Sequence, residues 1–178
     1  MIKSIFFDTD CLSAFLWVKH ENLLVKLYPG KIIIPKQVYD ELSSPGIFHL
    51  KARVDELLVK NQISIAEISV GTDIFDLYYQ LTVEPTKGHQ IIGKGEAASL
   101  ALAYFNDGII ASNNLRDVIL YVNEFNLNHI TTGNILIEAY NKKCITENEG
   151  NAIWAAMLSK RRKLGAVTFT DYLNAKNI

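Results

Sequence analysis

Apolar residues alternate along this chain between short β-branched runs and longer stretches with helical spacing. Lys3-Ser4-Ile5-Phe6-Phe7-Asp8 is a compact β-prone run ending in an acid, and residues 11–18 and 21–28 carry apolar side chains three and four apart, which predicts a strand followed by helix. Pro29-Gly30 interrupts the helix, residues 31–34 form a second strand-like run, and Pro35 is expected to open a helix reaching Leu42. Residues 48–60 fit a helix, 63–68 alternate as a strand, and Thr72 is placed to cap a helix through Leu81. After a loop at 84–89 come an Ala/Leu-rich helix at 95–105, a short apolar strand at 108–111, a helix at 115–125 and a strand at 129–131. Residues 134–143 and 147–163 then read as two helices, and 168–175 as a final turn or two. Strands alternating with helices predict an α/β fold: a mainly parallel central sheet flanked by helices, with a C-terminal helical extension.

Composition narrows what such a fold does. The 178 residues suit one domain, and 49% hydrophobic with 21% charged residues is an ordinary globular balance. A formal net charge of −1 excludes the cationic footprint of a non-specific nucleic-acid coat, so any nucleic-acid contact is local. Cys11 and Cys144 are too few for a disulfide framework and suit a reducing compartment. No apolar run approaches the ~20 residues that cross a bilayer, and residues 1–7 lack the features of a signal peptide, so the expectation is a cytoplasmic protein without membrane contact. His20, His49, His89 and His129 lack zinc-ligand spacing and are expected to be solvated or satisfied.

The acids carry more information. Ligands of parallel α/β sheets bind outside the carboxyl ends of the strands. Asp8 ends the first strand with Asp10 just beyond, Glu41 follows the second strand by a turn or two, Glu96 opens a helix after Gly93-Lys94-Gly95, and Asp117 lies in the first turn after the 109–111 strand. Each alone fits a cap or dipole partner, and Asp10 is expected to be the N-cap of the first helix.

Together, however, Phe6-Phe7-Asp8-Thr9-Asp10, the segment 34–42 ending Asp40-Glu41-Leu42, Gly93-Lys94-Gly95-Glu96-Ala97-Ala98 and Ala111-Ser112-Asn113-Asn114-Leu115-Arg116-Asp117 stand in an order that resembles PIN-domain proteins. The resemblance covers residues 3–132, with 133–178 as an extension of a single PIN-like domain, and is strongest to the toxin nucleases of bacterial toxin–antitoxin pairs. It implies a ribonuclease that depends on Mg²⁺ or Mn²⁺, with Asp8, Glu41, Glu96 and Asp117 as the catalytic quartet. Asp8, Glu96 and Asp117 are then the metal ligands, Asp8 and Glu96 the most direct. Clustered carboxylates repel unless a cation neutralises them, and water activated there attacks the phosphodiester. One departure stands out: Asn113 and Asn114 occupy places where the family often carries aspartates, which lowers the charge of the site.

Thr9, Lys94, Ser112, Asn113 and Arg116 are candidates for substrate binding, as are Lys142-Lys143 and the run Lys160-Arg161-Arg162-Lys163, which also suits a cationic helix C-terminus. The resemblance implies an RNA substrate, a small antitoxin partner and a homodimer; aromatic Phe75, Tyr78 and Tyr79 on one helix offer a surface for association. Two alternatives are a PIN-fold nucleic-acid-binding protein weakened in catalysis by Asn113-Asn114, and a haloacid-dehalogenase-like phosphatase suggested by Phe7-Asp8-Thr9-Asp10. The phosphatase lacks the glycine expected soon after Asp10 and an acidic pair downstream of Ser112.

Overall fold

The computed structural model describes residues 3–176; residues 1, 2, 177 and 178, the outer ends of the predicted domain and its extension, lie outside the described residues. The strands are β1 (Ile5–Phe7), β2 (Ile32–Pro35), β3 (Ser64–Ala66), β4 (Ile109–Ala111) and β5 (Asn128–Ile130). They form one parallel sheet in the order β3-β2-β1-β4-β5, so the most apolar strand is central. All three β1 side chains are buried, and they alternate as a strand requires: Ile5 and Phe7 enter one apolar cluster, Phe6 the other.

Helices cover both faces. On the Ile5/Phe7 side lie α1 (Thr9–Trp17), α2 (Glu21–Leu27), α3 (Lys36–Glu41) and α4 (Phe48–Val59), joined by α8 (Thr132–Asn141), α9 (Glu147–Ser159) and α10 (Phe169–Lys176). The C-terminal helices share this core rather than sitting apart, because Leu136, Trp154, Met157 and Phe169 are fully or almost fully buried in it. On the Phe6 side lie α5 (Asp73–Thr82), α6 (Lys94–Phe105) and α7 (Leu115–Glu124), with Ala97, Leu100 and Val118 against the sheet. Thr72 caps α5, accepting from the Phe75 amide.

Three details depart from the sequence expectation. Pro35 does not enter a helical first turn; it ends β2, in register with Ala66, and α3 starts at Lys36. Its missing N–H suits a strand end as well as a helix start. Asp8, not Asp10, is the N-cap of α1: its backbone is extended (φ −78°, ψ 169°) and its carboxylate accepts from the Cys11 amide, leaving Asp10 inside the first turn. Finally, α9 stops at Ser159, because Arg161 adopts a left-handed backbone (φ 59°) that ends the helix and turns the chain. The basic run at 160–163 is therefore a turn, not a helix end.

Since every strand is parallel, all carboxyl ends open on one edge. The Asp8 amide donates to Ala111 O at 3.0 Å and the Ser112 amide to Ile130 O at 3.0 Å, which carries the ladder one step past the strands and fixes where both motifs emerge.

Candidate active site

Asp8 lies at that edge, at the carboxyl end of β1. Its side chain is fully buried; Oδ1 accepts from the Cys11 amide at 2.7 Å, while Oδ2 has no hydrogen-bond partner. Burial is the main reason its pKa is pushed up to about 7, with the charges of Asp10 and Glu96 pushing further. The Cys11 amide and the adjacent Ser112 hydroxyl pull the other way, although Ser112 makes no hydrogen bond to Oδ2.

Glu41 and Glu96 are set on either side of the first turn of α6. Glu41 Oε1 accepts from the Gly95 amide at 2.9 Å, an unsatisfied donor of the α6 N-terminus, and Oε2 accepts from the Thr9 hydroxyl. Gly95 is required here, since a Cβ would sit 2.9 Å from both Glu41 Oε2 and Thr9 Oγ1. Glu96 reaches back to the Gly93 amide (3.1 Å) through Oε2 and accepts from Asn114 through Oε1 (2.7 Å). The whole turn is tied to the sheet by Ser99, whose hydroxyl lies 2.9 Å from both Phe7 O and Gly95 O.

The fourth motif is organised by its asparagines. Asn114 Nδ2 donates to Glu96 Oε1 and to Asp117 Oδ2, each at 2.7 Å, so one neutral amide holds two carboxylates together. Asn113 makes a two-way latch to Thr132: Nδ2 donates to Oγ1 at 2.8 Å and Oδ1 accepts from the Thr132 amide at 2.9 Å. His129 donates from Nε2 to Ser112 O at 2.8 Å, and burial holds its pKa below the ordinary value, so it is a neutral strut for this loop.

Next to these motifs opens a cleft of about 360 Å³ lined by Thr9, Asp10, Glu41, Glu96 and, from the far end of the chain, Arg162. The structure thus joins Glu96 and Asp117 through Asn114, sets Asp8 within reach of the Glu96 charge, and brings Glu41 to the cleft through Thr9 and Gly95; Asp8 and Asp117 do not line the cleft themselves. Ser112 is fully buried, its Oγ accepting from the Asn114 amide at 3.2 Å. Lys94 and Arg116 are exposed and do not line the cleft. The sequence offered Arg162 only as one of the run 160–163, with a cationic helix end as the equal alternative, and placed Asp10 at an N-cap; both line the cleft. The signal for Asp10 was present, because Asp10, Ser13 and Trp17 recur at helical spacing on the α1 face opposite the buried Cys11, Leu12 and Phe15.

Among the described residues no three acids, histidines or cysteines converge as a ready-made metal cage. The donor set still fits a hard cation. It is all oxygen, a buried carboxylate oxygen lacks any partner, and Mg²⁺ needs only one or two carboxylates because it keeps several waters. No described helix is long and apolar enough to cross a membrane.

No curated protein matches the chain. A family model described as a PIN domain matches residues 4–174, spanning the sheet, the acidic cleft and nearly all of the C-terminal extension. PIN domains are generally nucleases that use divalent metal ions, and that match sets aside the phosphatase alternative. With its five-stranded parallel sheet and acids at the strand ends, this chain belongs to the PIN-domain family.

Proposed function

We propose that the chain is a Mg²⁺- or Mn²⁺-dependent endoribonuclease, the toxin-like member of a toxin–antitoxin pair. The observation that carries this reading is the buried Asp8 carboxylate at the carboxyl end of β1, with Oδ2 unpaired and the charges of Asp10 and Glu96 close enough to act on it. Such a group needs either a proton or a cation, and at neutral pH it is poised between the two.

Asp8 and Glu96 would hold the cation, with Asp117 in reserve behind the Asn114 amide. A bound divalent ion supplies Lewis-acid stabilisation of the charge that develops on a phosphodiester. Glu41, held by the Gly95 amide and the Thr9 hydroxyl, is placed to orient an attacking water and accept its proton. Asn114 replaces a fixed charge by a fixed hydrogen-bond donor, which keeps Glu96 and Asp117 in place when no cation is present.

The test is cleavage of a single-stranded RNA with and without EDTA, repeated on Asp8→Asn and Glu96→Gln. Metal-dependent hydrolysis that falls by orders of magnitude in both folded variants supports the reading. RNA binding without cleavage at any Mn²⁺ concentration would instead favour the catalytically weakened binding protein. A partner is part of the proposal: half-buried Phe75 and Tyr78 and exposed Tyr79 offer an apolar surface on α5 to a second copy or a small antitoxin-like protein. Light scattering of wild type and Tyr79→Glu tests the dimer, and co-expression with a neighbouring reading frame tests the antitoxin in a cytoplasmic setting.

A further inference from the structure

A cleft walled by Asp10, Glu41 and Glu96 repels the phosphates of any nucleic acid, so a polyanionic substrate needs a cation at the same place. Among the described residues lining the cleft, only Arg162 carries one. It arrives there from the turn after α9. Nη1 lies 3.3 Å from Asp10 Oδ1 and 3.2 Å from Ser13 Oγ, Nε donates to Lys160 O at 3.1 Å, and Nη2 makes no hydrogen bond to a described residue. The guanidinium is therefore held through Nε and Nη1 while the Nη2 donors are left for a ligand.

Its neighbours in the turn converge on the same region. Lys160 Nζ sits 5.8 Å from the ring centroid of Trp17, a wall of the cleft. Lys163 lines a second cavity, about 210 Å³, together with Asn113 and Thr131, so it stands next to the fourth motif. A contribution to stability does not account for this placement. The Arg162 and Asp10 side chains are 23% and 39% exposed, and ion pairs at such exposure add little to folding.

We propose that the turn at 160–163 is the phosphate grip of this cleft: Arg162 binds the backbone of a single-stranded RNA entering over the acids, and Lys163 binds a neighbouring phosphate. Asp10 and Ser13 are positioning residues that aim the guanidinium. The inference rests on the ribonuclease reading and adds to it a substrate subsite supplied by the C-terminal extension. The contacts are to phosphate, so they fix the strand's position without reading its sequence. Arginine suits the task because two of its nitrogens can anchor the planar group while the third still donates to a phosphate, where an ammonium presents a single point charge.

The experiment is fluorescence anisotropy of a labelled single-stranded RNA oligonucleotide, with Asp8→Asn as the non-cleaving background and salt varied. Adding Arg162→Ala is expected to weaken binding roughly tenfold. It should also reduce the slope of log affinity against log salt by about 0.7, the loss of one phosphate contact to a single strand. Arg162→Lys should restore the slope and only part of the affinity. In the cleaving chain, Arg162→Ala should raise KM by a similar factor and change kcat little, a split that a merely structural role would not give. Lys163→Ala guards against a folding artefact, since Lys163 makes no ion pair with a described residue, and it should lower the slope by a similar amount. Unchanged affinity and slope in both alanine variants overturns the phosphate grip and leaves the ribonuclease reading standing. An Asp8→Asn chain and a wild type that both fail to bind RNA at low salt would overturn the two together.

Discussion

Replacing Asp8 by asparagine should stabilise the metal-free protein while destroying its activity, and the gain should depend on pH in a defined way. A carboxyl whose pKa is moved from 3.8 to about 7 by burial is harder to ionise in the folded chain than in the unfolded one. At about 1.4 kcal/mol for each tenfold in acidity, the cost at alkaline pH is about 4 kcal/mol. The sign follows from proton counting. Between pH 4 and 7 the folded state binds more protons at this site than the unfolded state, so wild-type stability falls as pH rises and levels off above 7. Asparagine keeps the size of the side chain and the acceptor for the Cys11 amide but never ionises. For a chain of this length the difference corresponds to a melting temperature roughly 10 °C higher for the variant at pH 8, shrinking towards zero near pH 4. Thermal unfolding followed by circular dichroism in EDTA across pH 4–8 measures both curves. Saturating Mn²⁺ should then narrow or reverse the order, because only the wild type offers the cation a carboxylate. Identical melting curves for the two proteins across that pH range in EDTA would refute the argument that a costly buried charge sits at the end of β1.

Gly95→Ala pushes a methyl to 2.9 Å from the Glu41 carboxylate and the Thr9 hydroxyl; it should lower RNA hydrolysis roughly a hundredfold with a melting temperature within a few degrees of wild type, and unchanged turnover would mean that Glu41 is not held in working position. Asn114→Asp swaps the amide shared by Glu96 and Asp117 for a third carboxylate; without metal it should lose about 1–3 kcal/mol of stability, and with Mn²⁺ regain more than the wild type does, as differential scanning fluorimetry against Mn²⁺ concentration will report. Gly150→Ala drives a Cβ to 2.4 Å from the buried Phe169 ring, so denaturant unfolding should show a loss of about 1–3 kcal/mol in a single cooperative transition; a wild-type midpoint would mean that α10 is not docked in the core.

Much of the fold was written in local pattern. The β-branched runs at 31–34 and 109–111, the Ala/Leu periodicity of 95–105 and the Thr72 cap each correspond to an element, because every one of these signals is decided within a few neighbouring residues. The failures lie where two local choices are equivalent or a distant residue decides. Asp8 and Asp10 are both good caps two residues apart, and the ladder bond from the Asp8 amide to Ala111 O settles which one turns into the helix. The end of α9 was hidden because the left-handed residue is Arg161, with no glycine to mark it. Asp10 and Arg162 are separated by 152 positions, and no local pattern reports such a contact. The substitution at 113 and 114 was legible only as missing charge. Three dimensions give each amide a separate use, one latching Thr132 and the other joining two acids.

One helix connects these observations. The buried side of α1 places Leu12, Phe15 and Leu16 in the core, its N-cap is the buried Asp8, and its opposite side presents Asp10, Ser13 and Trp17 to the cleft. Because α9 packs against α1, the turn that ends α9 is delivered to that same face, and burial of Trp154 and Met157 fixes the geometry from which Arg162 reaches the cleft. Stability and substrate contact thus enter the extension through different residues. Gly150→Ala acts on the first and Arg162→Ala on the second, so the two should be separable: the former should lower the unfolding free energy with little change in the salt slope of RNA binding, and the latter the reverse. A Gly150→Ala protein that stays folded at assay temperature yet loses the salt slope would mean that the grip depends on strain transmitted through α9 rather than on the cations of the turn themselves.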